Sequence, residues 1–132
     1  KAIVPIMIER KSGHIVNIGS TAGREVYPGG NVYCASKHAV DAISKSMRID
    51  LVEHGIKVTQ IRPGMAETEF SLVRFNGDVD SAKKVYADLE PLIGEDVAEM
   101  IGFAVGLPKH VCINDLEVTC TAQATSTIVN RK

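Results

Sequence analysis

Long apolar runs, an excess of either charge, paired cysteines and internal repeats are all missing from this 132-residue sequence. Its 15 Lys and Arg against 16 Asp and Glu leave a net charge of −1. No basic field therefore draws in nucleic-acid phosphates or an anionic membrane surface, and neither is an expected partner. The first apolar stretch, Ala2-Ile3-Val4-Pro5-Ile6-Met7-Ile8, is too short to span a bilayer and meets Glu9-Arg10-Lys11 at once. Cys34, Cys112 and Cys120 form an odd set without C-x-x-C spacing, each among apolar or small neighbours. They read as reduced, buried thiols of a cytoplasmic protein. His14, His38, His54 and His110 lack metal-ligand spacing, so no metal is expected. What remains is a composition, 45% hydrophobic and 23% charged, that suits one soluble globular unit.

Residues 14–19 are rich in β-branched side chains between glycines and predict a short strand buried on both faces. Over residues 31–54, Ala35, Ala39, Ala42, Ile43, Met47 and Leu51 recur at three- and four-residue steps, the pattern of a long amphipathic helix that Gly55 ends. A second strand over residues 56–61 stops at Pro63-Gly64. A long loop to about Asp80 holds one short helical turn, and helices follow over 81–90 and 95–106. Glu95 and Asp96 suit the start of the latter through the helix dipole. Residues 110–120 read as a last strand, with a bend at Asn114-Asp115. Strand, helix, strand, helices, strand predicts an α/β unit of right-handed βαβ connections, with a parallel sheet flanked by helices.

The chemistry concentrates in Tyr33-x-x-x-Lys37, which places a phenol and an ammonium on one helix face. A free phenol titrates near ~10, and a cation beside it favours the phenolate, which makes such a group usable as acid and base near neutral pH. Ser20 stands at the C-terminal end of the preceding strand, the edge where ligands collect in parallel sheets. Its hydroxyl donates and accepts. A serine there can hold a substrate oxygen against Tyr33, so that a proton and a hydride reach opposite ends of one C–O bond without a metal. A Y-x-x-x-K pair also arises by chance on many helices, and only its surroundings distinguish the two cases. A hydrolase elbow of the G-x-S-x-G kind fails, because position 18 is Ile18.

Those surroundings are Gly13-His14-Ile15-Val16-Asn17-Ile18-Gly19-Ser20, then Tyr33-Cys34-Ala35-Ser36-Lys37, then Arg62-Pro63-Gly64, with thirteen residues from Ser20 to Tyr33. Taken together they resemble the short-chain dehydrogenase/reductase family. The resemblance implies a Rossmann-like fold, with Ser20 polarising the substrate oxygen and Tyr33 as acid and base. Lys37 would hold the nicotinamide ribose and tune Tyr33, while Pro63, Gly64 and Thr68 line the cofactor side. A Pro-Gly turn after a strand would present backbone N–H groups to a carboxamide or phosphate. Residues 68–75 and 107–114 look like the branch that oxidises serine and other 3-hydroxy acids with NADP, and in reverse reduces malonic semialdehyde; NAD remains an alternative. Arg74 would then grip the substrate carboxylate, unless it pairs with Glu69, Asp78 or solvent.

The family's glycine-rich turn is missing: neither G-x-x-x-G-x-G nor G-x-G-x-x-G occurs, and Gly19-Ser20-Thr21-Ala22-Gly23 meets neither spacing. The family's helix asparagine is not Asn17, which sits on a strand. The chain, which starts at Lys1 without Met, therefore reads as one partial domain over residues 1–132, the C-terminal half of such a fold. It would supply the fifth to seventh of seven strands and leave one edge open. Such a piece would be marginal alone. A second expectation is a catalytically silent assembly module, because the long helix resembles the one through which the family forms dimers and tetramers.

Overall fold

A computed structural model describes residues 2–132. Its centre is a three-stranded parallel sheet in the order β1 (Gly13–Ile18), β2 (Ile56–Pro63), β3 (Asp115–Val118). β1 pairs with β2 from Gly13 opposite Ile56 to Ile18 opposite Ile61, and β2 pairs with β3 from Gln60 opposite Asp115 to Pro63 opposite Val118.

Helix α1 (Val4–Arg10) carries a proline in its first turn, where a missing N–H costs nothing, and Lys11 at φ 49° turns the chain into β1. The long helix α2 (Asn31–Leu51) tightens into a 3-10 turn over Val52–His54 and ends at Gly55, whose φ of 67° a side chain would strain. Side chains alternate along β2. Ile56, Val58, Gln60 and Arg62 face α2; Lys57, Thr59 and Ile61 face the side of α5 (Gly94–Gly106), and Lys57 Nζ reaches the carbonyl of Leu107 just beyond it. Leu51, Ile56 and Val58 form the buried apolar centre, packed by Val4, Met7, Ile8, Ile15 and Met47. Each such side chain, fully buried, contributes about 1.5–3 kcal/mol. The centre lies at the C-terminal end of α2, away from Tyr33.

Several expectations change. β1 is half-buried rather than buried on both faces, with Ile18 45% exposed, and only one of its edges is paired among the described residues. The last strand covers Asp115–Val118 alone. Residues 111–114 run beside β2, but side chains of Lys57, Thr59 and Arg48 take the carbonyls of Val111, Ile113 and Asn114, and no full ladder forms. The helix placed at 81–90 is α4 (Val79–Val85), started by the Asp78 carboxylate, which accepts from the Asp80 and Ser81 amides at 3.1 Å each. The short helical turn is α3 (Phe70–Arg74). α5 starts as expected, with Asp96 accepting from the Ile93 amide at 2.8 Å. All three cysteines are unpaired, but Cys112 is exposed rather than buried. Among the described residues no helix is long and apolar enough to cross a membrane.

Candidate active site

Gly19 and Ser20 leave the C-terminal end of β1 under tight constraint. The Gly19 amide donates to the Ile61 carbonyl at 2.7 Å, and a Cβ at position 19 would run into the Gln60 side-chain amide. Ser20 is 8% exposed, and its Oγ accepts from the Ala22 amide at 3.1 Å, capping the 3-10 turn Thr21–Gly23. The cap uses a lone pair and leaves the hydroxyl hydrogen available to a ligand.

Tyr33 and Lys37 occupy the first two turns of α2. This end of the helix approaches the Ser20 turn so closely that a Cβ on Gly23 would sit 2.8 Å from the Lys37 carbonyl oxygen. Lys37 Nζ donates to the Ile18 carbonyl at 3.2 Å and lies 5.7 Å from the Tyr33 ring centre. Burial lowers the Lys37 pKa below the ordinary lysine value. Phe70 of α3 packs against the Tyr33 ring, centroids 5.2 Å apart, and so limits water on that side.

The turn after β2 differs from expectation. The Gly64 amide donates to the Val118 carbonyl at 2.7 Å, and the Met65 amide to Gln123 Oε1 at 2.8 Å. Those N–H groups are committed to the protein, so Pro63 and Gly64 face the cavity as surface rather than as donors. Gly64 leaves room for Gln123, whose amide a Cβ at position 64 would push aside. Thr68 Oγ1 accepts from the Phe70 amide at 3.3 Å where the chain enters α3.

Arg74 pairs with neither Glu69 nor Asp78, and makes no salt bridge among the described residues. Its guanidinium carbon lies 5.9 Å from the Tyr27 ring centre and 5.8 Å from that of Phe75. Burial raises the pKa of the Tyr27 phenol despite the Arg74 charge beside it. Tyr86 ties the α3–α4 segment down, donating to the Ala66 carbonyl at 2.9 Å and meeting Ser71 Oγ at 2.7 Å.

Ser20, Tyr33, Lys37, Pro63, Gly64, Thr68 and Arg74 all line one cavity of about 540 Å³. Sequence reasoning did not single out Tyr27, Tyr86, Gln123 or Ser126, which line it as well. Tyr27 sits in a Tyr-Pro-Gly-Gly turn, a weak signal. Gln123 reaches back 58 residues to Met65, and no local pattern marks it.

A family model described as short chain dehydrogenase matches residues 1–77. The chain belongs to the short-chain dehydrogenase family. Sulfoacetaldehyde reductase 2 of Chromohalobacter salexigens is 49% identical over 126 residues, which cover 95% of this chain and 50% of that short-chain dehydrogenase relative. The NADP-dependent 3-hydroxy acid dehydrogenase of Schizosaccharomyces pombe is 42% identical over 132 residues, 100% of this chain and 51% of that protein. The closed form of a serine dehydrogenase complexed with NADP+ superposes with a TM-score of 0.92 at 46% identity, covering 99% of this chain and 54% of that one. The chain spans about half the length of the curated relatives it matches.

Proposed function

We propose that residues 1–132 are a partial domain, the catalytic half of an NADP-linked oxidoreductase that interconverts a small hydroxy compound, a 3-hydroxy acid such as serine, and its carbonyl form. The observation that carries this reading is that Ser20, Tyr33, Lys37 and an Arg74 with no carboxylate partner among the described residues surround one cavity. Its size, about 540 Å³, is that of a small-ligand site. The donor set fits the nicotinamide-ribose part of NADP. Lys37 keeps N–H groups beyond the one given to Ile18, Thr68 offers a hydroxyl, and Gly64 presents bare backbone beside the Pro63 ring. NAD would fit the same groups.

In the reducing direction the Ser20 hydroxyl donates to the substrate's carbonyl oxygen, and Tyr33 delivers its phenolic proton to that oxygen. The Lys37 charge stabilises the phenolate left behind. The nicotinamide, when bound, supplies the hydride for the carbon. Oxidation of the alcohol uses the same groups in reverse. Sulfoacetaldehyde, 3-hydroxy acids and serine, named for the relatives, each join an acidic group to a carbonyl or hydroxyl. Arg74 is the group that suits such an acid, as a fork of N–H donors that no carboxylate takes up among the described residues.

The test is turnover of serine, other 3-hydroxy acids and sulfoacetaldehyde with NADP(H), followed by nicotinamide absorbance, in the full-length protein that carries this chain. Arg74→Ala should raise KM for the anionic substrates at least tenfold, as expected for loss of about 1.5–3 kcal/mol of charge-assisted hydrogen bonding. Unchanged kinetics would remove Arg74 from the site.

A second reading, a silent assembly module forming dimers or tetramers, is favoured by the outer face of α2, where Val32 is 77%, Ile43 55% and Ile49 75% exposed. NADP that leaves the thermal stability of the 132-residue chain unmoved would favour it. The three unpaired thiols support a reducing, cytoplasmic setting.

A further inference from the structure

The apolar centre holds only the far end of α2, through Met47 and Leu51. Toward Tyr33 the helix has few buried side chains, namely Cys34 and Ser44, and hydrogen bonds from Asn17, Arg62 and Lys37 join it to the sheet. Asn17 Nδ2 donates to Ser44 Oγ at 2.9 Å. One turn closer to the site, the Asp41 carboxylate accepts from the guanidinium of Arg62, whose side chain is 1% exposed. Arg62 Nη2 also donates to Asp115 Oδ1 at 2.6 Å and lies 3.2 Å from Gln60 Oε1. Arg48, two turns along α2, closes the set with a contact to Asp115 at 3.4 Å, and Lys45 meets the second oxygen of Asp41 at 2.7 Å.

Two placements give this cluster a consequence. Tyr33, Lys37 and Asp41 follow one another at four-residue steps, so they share one stripe of α2. Arg62 immediately precedes Pro63-Gly64, the turn that forms another side of the cavity. We infer that Arg62 and Asp41 are positioning residues: the ion pair between the buried Arg62 and the half-buried Asp41 fixes the slide and rotation of the Tyr33–Lys37 end of α2 against the Pro63-Gly64 turn. Neither side chain lines the cavity, so neither touches a reacting atom. An ion pair suits this task because it is directional, whereas apolar contacts on a helix tolerate sliding. Asp41 keeps its charge for it: burial opposes ionisation, but the Lys45 hydrogen bond and the Arg62, Lys45 and Arg24 charges outweigh that and lower its pKa.

The inference rests on Tyr33 and Lys37 being the reacting pair, and the experiment separates the two claims. In the full-length protein, Asp41→Asn keeps volume and removes the charge, and Asp41→Glu restores it. Amide hydrogen exchange is read along α2, alongside kcat and KM. Asp41→Asn should accelerate exchange over residues 33–41 while residues 44–51 keep wild-type protection. It should lower kcat about a hundredfold, the effect of roughly an ångström of misplacement, with KM for NADP within twofold of wild type. Asp41→Glu should recover most of both. Uniform change along the helix, wild-type exchange, or equal loss in Asp41→Glu and Asp41→Asn would overturn the inference. The localised exchange pattern in a protein that never turned over hydroxy acids would leave the positioning contact standing and refute the catalytic reading alone.

Discussion

Gly23→Ala puts a single methyl group where the Ser20 turn meets the Tyr33–Lys37 helix. The new Cβ would lie 2.8 Å from the Lys37 carbonyl oxygen and 3.2 Å from its carbon, and both are backbone atoms that no rotamer change can move aside. The turn and helix must part by roughly half an ångström, and overpacking of this kind costs about 1–3 kcal/mol. Gly23 is not in the left-handed region, so alanine recovers about 0.4–1 kcal/mol through a less disordered unfolded chain. The net loss is roughly 1–2 kcal/mol, a fall of about 2–8 °C in thermal midpoint for a protein of this family's size. The same displacement moves Ser20 away from Tyr33, so kcat should fall tenfold or more. Gly102→Ala is the control. It lies inside α5 with no atom near its would-be Cβ, and should stabilise by about 0.5–1 kcal/mol. Differential scanning calorimetry of both variants decides the matter. A Gly23→Ala protein that melts at or above wild type, as the control should, would refute the close approach.

Gln123→Leu strips the acceptor from the Met65 amide and the donor from the Thr125 carbonyl, and should cost about 1–3 kcal/mol in urea unfolding; wild-type stability would mean that the tail does not hold the Pro63-Gly64 turn. His14 predicts a pH effect. Thr59 Oγ1 donates to the Ile113 carbonyl, so it accepts from His14 Nε2 at 2.7 Å, and Nδ1 is left buried without a partner. Burial first, and then Lys57, lower the His14 pKa below 6.5. The unfolded chain takes up a proton that the folded chain resists, so stability falls as pH drops below about 6.5 and levels off once the folded histidine is charged. Thermal midpoints at about pH 7.5 and 5.5 should differ in wild type and differ less in His14→Asn; equal slopes would contradict the assignment.

Local spacing made much of this molecule legible. β1 follows from a β-branched run between glycines, β2 from its stop at Pro63-Gly64, α2 and α5 from three- and four-residue periodicity with the Gly55 stop, and Ser20, Tyr33 and Lys37 from their spacing within that frame. The last strand is shorter than its pattern suggests because apolar residues at 111 and 113 look like a strand whether or not their carbonyls join a ladder, and here Lys57 and Thr59 take them. Arg62 stood in a recognisable motif, yet its partners Asp41 and Asp115 lie 21 and 53 residues away, and charge alone does not reveal such a pairing. The tail is similar: the Glu25 carboxylate accepts from the Ser126 amide at 2.7 Å across 101 residues, a contact between ordinary polar residues. Side chains that bring distant loops around a cavity leave no periodic trace.

The central claim is that Tyr33 gives and takes the proton. Tyr33→Phe in the full-length protein removes one oxygen and keeps the ring packed against Phe70. Single-turnover kinetics with NADPH and a semialdehyde, measured beside NADPH affinity by calorimetry, should show a rate at least a thousandfold lower with Kd within about threefold of wild type. Turnover within tenfold of wild type would contradict the account.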